Sequence, residues 1–230
     1  MADQPLFEFE AVVVEADGQR ILDGVSTAIP MAAVAVVAGP SGSGKSTLLR
    51  LCNRLEVPAS GTVRYRGEDV AGLDPLAHRR RVGMVFQRPT PFPGTVGDNL
   101  RVACPDLSDA ACGLALERVH LDPAMVDRDT GTLSGGEAQR ACLARTLVAN
   151  PEVVLLDEPT SSLDESATRS LEELAAELAA SGVPIVWVTH DLGQLRRVAH
   201  HLVVMDRGRV VASGSPEDLD DHPLIRKEQP

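Results

Sequence analysis

Val34-Ala-Val-Val-Ala-Gly-Pro-Ser-Gly-Ser-Gly-Lys-Ser-Thr47 is the stretch that decides the fold. Val34 to Ala38 is an unbroken apolar run, which reads as a short strand buried on both faces. Gly39, Pro40, Ser41, Gly42, Ser43, Gly44, Lys45, Ser46 and Thr47 then fit G-x-x-x-x-G-K-[ST]. Helical spacing follows from Lys45 to Leu55. In such a loop the glycines let successive backbone N–H groups turn toward phosphate oxygens, and the new helix adds its positive end. Lys45 brings a point charge for the β and γ phosphates, and the Ser46 hydroxyl suits Mg²⁺. The strand before and the helix after separate this from a surface loop that matches by accident. Alone, the loop implies nucleoside triphosphate binding and no more; the guanine-reading N-K-x-D is absent.

Outward from that loop the chain alternates strands and helices. On the N-terminal side, Phe7–Val14 and Ile21–Ile29 read as strands around an Asp17-Gly18 turn, and Gly61–Tyr65 and Arg81–Gln87 are strand-like. An antiparallel β region is expected there. On the C-terminal side, Val153–Leu156 and Val183–Thr189 read as strands. Glu165–Ala180, ended by Ser181-Gly182, and Leu192–His200 read as helices. His201–Met205 and Arg209–Ala212 form a hairpin through Arg207-Gly208. This alternation predicts an α/β fold, a mostly parallel sheet with helices on both faces.

Residues 88–150 break the pattern. Pro89, Pro91, Pro93 and Gly94 make a stiff loop, Asp109–Val119 has helical periodicity after a Ser108 N-cap, and Gly136–Ala149 is a helix ended by Asn150-Pro151. The expected organisation is one domain over 1–230. Its α/β core is 1–87 with 151–230, and 88–150 is an inserted helical subdomain.

Composition narrows the function. The 230 residues carry 22 Lys plus Arg against 33 Asp plus Glu, a net charge of −11, and only 3% aromatics. A basic nucleic-acid surface and an aromatic stacking platform are both disfavoured, so no nucleic-acid partner is expected. Polyphosphate binding must rest on local positive potential. Cys52, Cys104, Cys112 and Cys142 lack metal-ligand spacing and read as core thiols in a reducing compartment. The start, Met1-Ala-Asp-Gln-Pro5, has no basic leader region. Met31–Ala38, the longest apolar run, is far short of the ~20 residues of a membrane helix. Any membrane-spanning part is expected from another chain.

Two further features carry chemistry. Asp157 and Glu158 end the buried run Val153–Leu156, at the strand end where ligands of open α/β sheets bind. Asp157 suits the Mg²⁺ shell, and Glu158 suits a general base on water. Leu133-Ser-Gly-Gly-Glu137 opens a helix with bare backbone at Gly135 and Gly136 and a cap at Ser134. A lone Ser-Gly-Gly is most simply an N-cap. Beside a complete phosphate loop it is a second anion site without its own lysine, and a head-to-tail dimer would pair the two.

Together these motifs strongly resemble the ATP-binding subunit of ABC transporters, from about Phe7 to Gly214. The resemblance implies a P-loop NTPase ABC cassette that hydrolyses ATP with Mg²⁺. It makes Ser134, Gly135, Gly136 and Glu137 the signature, and Gln87 the Q-loop glutamine, a Mg²⁺ and water contact. Asp164, in Ser161-Ser-Leu-Asp164, falls in the D-loop, and His190 is the switch histidine at the γ-phosphate. It also implies a homodimeric nucleotide sandwich, permease partners and a place on the cytoplasmic face of the membrane. Three departures stand out. Ala16 falls where the family stacks adenine on an aromatic, Ala32-Ala33 replaces a usual Gly-Glu, and Glu137 stands where many relatives have Gln.

The segment Gln87–Leu100 faces the permease in family terms. Its Pro-Thr-Pro-Phe-Pro run resembles bacterial phosphate-import ATPases. Cys52–Gly61 and Gly94–Asn99 also resemble a smaller group linked to iron export and aluminium tolerance. A soluble ABC ATPase of iron–sulfur assembly is a further alternative. With about sixteen residues after Gly214, no appended regulatory domain is expected.

Overall fold

The computed structural model describes residues 4–31 and 33–226. The leader reading at Met1–Asp3 and the departure at Ala32 lie outside the described residues.

The chain begins with the hairpin β1 (Phe7–Ala16) and β2 (Gln19–Ile29), turning at Asp17-Gly18 as its sequence predicts. β3 (Val34–Ala38) leads into α1 (Lys45–Cys52), and β4 (Ser60–Tyr65) and β5 (Glu68–Asp69) follow. Next come α2 (Pro75–Arg81), β6 (Val82–Val85), α3 (Val96–Ala103), α4 (Asp109–Glu117) and α5 (Gly135–Leu147). The chain closes with β7 (Val153–Asp157), α6 (Glu165–Ala180), β8 (Ile185–Thr189), α7 (Leu192–Val198), β9 (His201–Asp206) and β10 (Arg209–Gly214).

Two sheets form. An antiparallel one runs β2-β1-β4-β5, and a six-stranded one runs β10-β9-β3-β8-β7-β6. In the second, β9, β3, β8, β7 and β6 are parallel and only β10 is antiparallel. Its central strands are buried throughout, so they read as continuous apolar runs. Successive side chains alternate between faces. Val34, Val36 and Ala38 pack with Leu171, Leu174 and Leu195 of α6 and α7 and with Ala144 and Leu147 of α5. Ala35 and Val37 pack with Leu48 and Leu49 of α1 and with Phe7, Val12 and Leu22 of the antiparallel sheet.

Helices lie on both faces as expected, but on one of them a helix shares the cover with strands. One face carries α5, α6 and α7, while the other is shared between α1 and the antiparallel sheet. The reason is amphipathicity. Phe7 and Phe9 of β1 are buried while Glu8 and Glu10, alternating with them, are not, so that sheet has one apolar face in need of a cover.

Several boundaries differ from the sequence reading. α1 stops at Cys52 rather than Leu55, because Arg54 takes φ 58. β8 starts at Ile185 rather than Val183, since Pro184 has no N–H to donate to a ladder. α2 and α3 were not expected. Both had start signals: Asp74 caps α2 with Pro75 at its first position, and Thr95 and Asp98 form a reciprocal capping box on α3.

Candidate active site

The carboxyl ends of β3, β7 and β8 lie side by side in the sheet. They release Gly39–Lys45, Glu158 and His190 at one edge. The loop wraps tightly there. A side chain at Gly39 would meet the Met205 carbonyl oxygen at 2.1 Å, and Gly44, at φ 100, would meet Leu22 at 2.6 Å. Only glycine fits either position.

Lys45 is 4% exposed. Its Nζ donates to the Gly39 and Pro40 carbonyls at 2.9 and 3.0 Å and lies 3.8 Å from Glu158 Oε1. Burial is the main influence on this amine and lowers its pKa, opposed by the charges of Glu158 and Asp157. Ser46 Oγ donates to Asp157 Oδ1 at 2.7 Å. Asp157 is 3% exposed, and burial raises its carboxyl above the ordinary range. Glu158 takes φ 43, a left-handed conformation that costs a non-glycine residue on the order of 1–3 kcal/mol. Its Oε2 sits 3.1 Å from His190 Nδ1. Lys45, Ser46, Asp157, Glu158 and His190, separated in sequence, thus form one connected cluster.

These residues fit a nucleoside triphosphate with a divalent cation. Ser43 Oγ is buried in the loop with no hydrogen-bond partner among the described residues. The hydroxyl of Ser46 and the carboxylate of Asp157 form an all-oxygen donor pair of the kind Mg²⁺ takes.

The remaining sequence candidates lie elsewhere. Gln87 follows β6, is exposed, and makes no side-chain hydrogen bond to the cluster among the described residues. Ser134 caps α5: Glu137 N donates to its Oγ at 3.3 Å, and Ser134 N donates to Glu137 Oε2 at 2.8 Å. Those bonds and Arg128 hold the Glu137 carboxyl below its usual range. Ser134, Gly135 and Gly136 face Asp164 across a shared cleft that also includes His120 and Arg140. Asp164 itself caps α6, accepting from Ala167 N at 2.8 Å. Among the described residues, none of Gly39–Thr47 lines this cleft.

Sequence reading missed a strut. Gly208 N donates to the Ser43 carbonyl at 3.0 Å, and Asp23 N donates to the Gly208 carbonyl at 2.9 Å. The β9–β10 turn therefore braces the phosphate loop against β2. Arg207-Gly208 reads as an ordinary hairpin turn, and no local signal marks it as a brace.

Comparison with known proteins follows the same lines. The family model described as ABC transporter matches residues 22–161. The chain belongs to the ABC transporter family. It is 46% identical over 220 residues to Protein STAR1 of Oryza sativa subsp. japonica, covering 93% of this chain and 64% of that one. It is 41% identical over 223 residues to Phosphate import ATP-binding protein PstB 2 of Mycobacterium tuberculosis, covering 90% and 80%. Among solved structures, cbiO1 from Clostridium perfringens, part of the ABC transporter complex cbiONQ, superposes with a TM-score of 0.84 at 26% identity, covering 96% and 93%. The chain thus spans just under two thirds of STAR1 and most of the other two.

As an ABC ATP-binding subunit the chain is an ATPase cassette, with the expected mostly parallel core and antiparallel β region. Among the described residues no helix is long and apolar enough to cross a membrane.

Proposed function

We propose that this chain is the ATP-hydrolysing subunit of a membrane transporter, acting with Mg²⁺ as a head-to-tail homodimer bound to permease subunits at the cytoplasmic membrane face. The observation that carries the reading is the cluster in which Lys45, Ser46, Asp157, Glu158 and His190 meet. In this reading the loop amides of Gly39–Thr47, with Lys45, bind the phosphates. Ser46, Asp157 and Gln87 would hold Mg²⁺, which would supply charge neutralisation of the phosphates when bound. Glu158 accepts the proton of the attacking water. His190 orients the Glu158 carboxylate through its 3.1 Å contact and faces the γ-phosphate.

The separation of Ser134–Glu137 from the phosphate loop supports the dimer. Those residues and Asp164 serve the nucleotide of the partner subunit, and the helical segment 88–150 is the subdomain that delivers them. A permease partner accords with the cbiONQ assembly of the related cbiO1.

For cargo we propose phosphate, on the Pro89–Pro93 segment and the 41% identity to a phosphate import protein. The stretches Cys52–Gly61 and Gly94–Asn99 favour a second reading, the iron-export or aluminium-tolerance type of transporter. The cluster contacts nucleotide in either case.

The test is Glu158→Gln. It removes the base and keeps the phosphate cradle, so ATP binding persists and turnover falls by ~10²–10⁴-fold. Full-rate hydrolysis by the variant overturns the assignment. Vesicle uptake of labelled phosphate with the cognate permease distinguishes the cargo readings.

A further inference from the structure

The loop carrying Glu158 out of β7 and the loop carrying His190 out of β8 are joined twice. The outer link is the His190–Glu158 contact, with the histidine side chain 58% exposed. The inner link is buried. Gln194 of α7 is 0% exposed and faces Thr160, two residues beyond Glu158. Thr160 Oγ1 donates to Gln194 Oε1 at 3.3 Å, and Gln194 Nε2 lies 3.1 Å from the same hydroxyl oxygen. Gln194 Nε2 also donates to Glu172 Oε1 of α6 at 3.0 Å. Glu172 in turn is held by Arg197 through bonds of 2.8 and 2.7 Å.

The chain of constraint has one direction. A carboxylate only accepts, so the Glu172 oxygens compel the Gln194 amide to present its NH₂ group to them. One Nε2 hydrogen goes to Glu172, and the Thr160 hydroxyl meets the same NH₂ group at 3.1 Å and Oε1 at 3.3 Å. Gln194 is also rigid with the His190 loop, because Asp191 caps α7 and accepts from Gln194 N at 3.1 Å. The interior amide therefore ties the position of Thr160, and with it the strained backbone of Glu158, to the loop that carries His190. Stability alone does not call for this: a buried ionic network is commonly replaced by apolar side chains without loss.

We infer that Gln194, held by the Glu172–Arg197 pair and acting through Thr160, is a positioning residue that sets the distance between Glu158 and His190. The inference rests on the roles proposed above for those two residues.

The experiment measures kcat, KM for ATP, nucleotide affinity and melting temperature of the full chain. The variants are Thr160→Val, Thr160→Ser, Gln194→Leu and the double variant Thr160→Val/Gln194→Leu. Small misplacements of a reacting group cost up to about a hundredfold, so Thr160→Val and Gln194→Leu each lower kcat by about ten- to a hundredfold. KM stays within about twofold, because the phosphate cradle is untouched. Thr160→Ser keeps the hydroxyl and turns over at close to the wild-type rate. The double variant is no slower than the slower single one, as expected of two parts of one unit. Wild-type kcat in Thr160→Val overturns the inference, as do multiplicative losses in the double variant. If Gln194→Leu does not fold, the near-isosteric Val and hydroxyl-bearing Ser at 160 decide by themselves. Glu158→Gln is assayed alongside. Loss there with no loss in Thr160→Val refutes the positioning role alone, whereas full activity in Glu158→Gln removes both readings.

Discussion

Ser46 Oγ donates a 2.7 Å hydrogen bond to Asp157 Oδ1 across 111 positions of sequence. The bond joins the helix behind the phosphate loop to the end of β7. It uses one oxygen of a carboxylate that is nearly inaccessible to water. Desolvation dominates there, so the ionised form is disfavoured in the folded state even with the Ser46 bond.

Asp157→Asn follows directly. The amide oxygen still accepts from Ser46, and the desolvated charge is gone. At pH 7 the variant melts higher by about 2–4 °C, the shift that about 1 kcal/mol produces in a chain of this size. ATP turnover falls at the same time. The sign is fixed by the raised folded pKa: the penalty is present above it and relieved as pH falls through it. The difference in melting temperature therefore narrows on acidification. Calorimetry from neutral to acid pH checks this, and a lower melting temperature for the variant at pH 7 contradicts it.

Glu172 has the opposite sign. Burial opposes its charge, but the bonds from Arg197 and Gln194 outweigh this and hold its carboxyl below the ordinary value of 4.5. Its contribution is full above that value and is lost as pH falls through the lower folded pKa. Glu172→Gln is expected to destabilise the chain at pH 7 by about 1–3 kcal/mol. Full enclosure of the pair would give more, but Arg197 is 52% exposed. In urea unfolding the gap closes below about pH 4.5, the ordinary carboxyl value. A gap that stays constant down to pH 3 removes the ion pair as its cause.

Ser134 is a helix cap in one chain and a proposed phosphate contact for the other. With ATP and the Glu158→Gln background, light scattering should show a monomer-to-dimer shift. Adding Ser134→Arg blocks it by bulk. Ser134→Ala serves as the control for the lost cap alone, worth about 1 kcal/mol of stability. A dimer that forms equally well in Ser134→Arg counts against the sandwich.

Ala16 ends β1 opposite Gln19 and is exposed, with no ring to offer a base. ATP and GTP should then bind with similar strength, since the loop amides and Lys45 do not read the base. Ala16→Tyr adds a stacking surface. Base–aromatic stacking is worth about 1–3 kcal/mol, so ATP should tighten by about fivefold or more. Titration of both nucleotides against wild type and variant checks this. Strong ATP preference in wild type with no gain in the variant places base recognition elsewhere.

Local patterns made the phosphate loop, the strand ending in Asp157-Glu158 and the Ser134 helix start legible in the sequence. Each is a contiguous run whose chemistry depends on backbone conformation and neighbours a few residues away. α6 was legible over its full extent for the same reason, ended by Ser181-Gly182, while its Asp164 cap emerged only in the structure. α2 and α3 escaped although their capping residues were present, because proline-rich and charged flanks masked short apolar patterns. Other relationships had no local signature. The cover of antiparallel strands over the sheet, the Gly208 brace on Ser43, and the Gln194–Thr160 link all join residues far apart in the chain. Hydrogen bonds and packing between distant segments depend on how strands are ordered and which faces meet. Those choices come from burying all the apolar faces at once, and only the tertiary structure records the outcome.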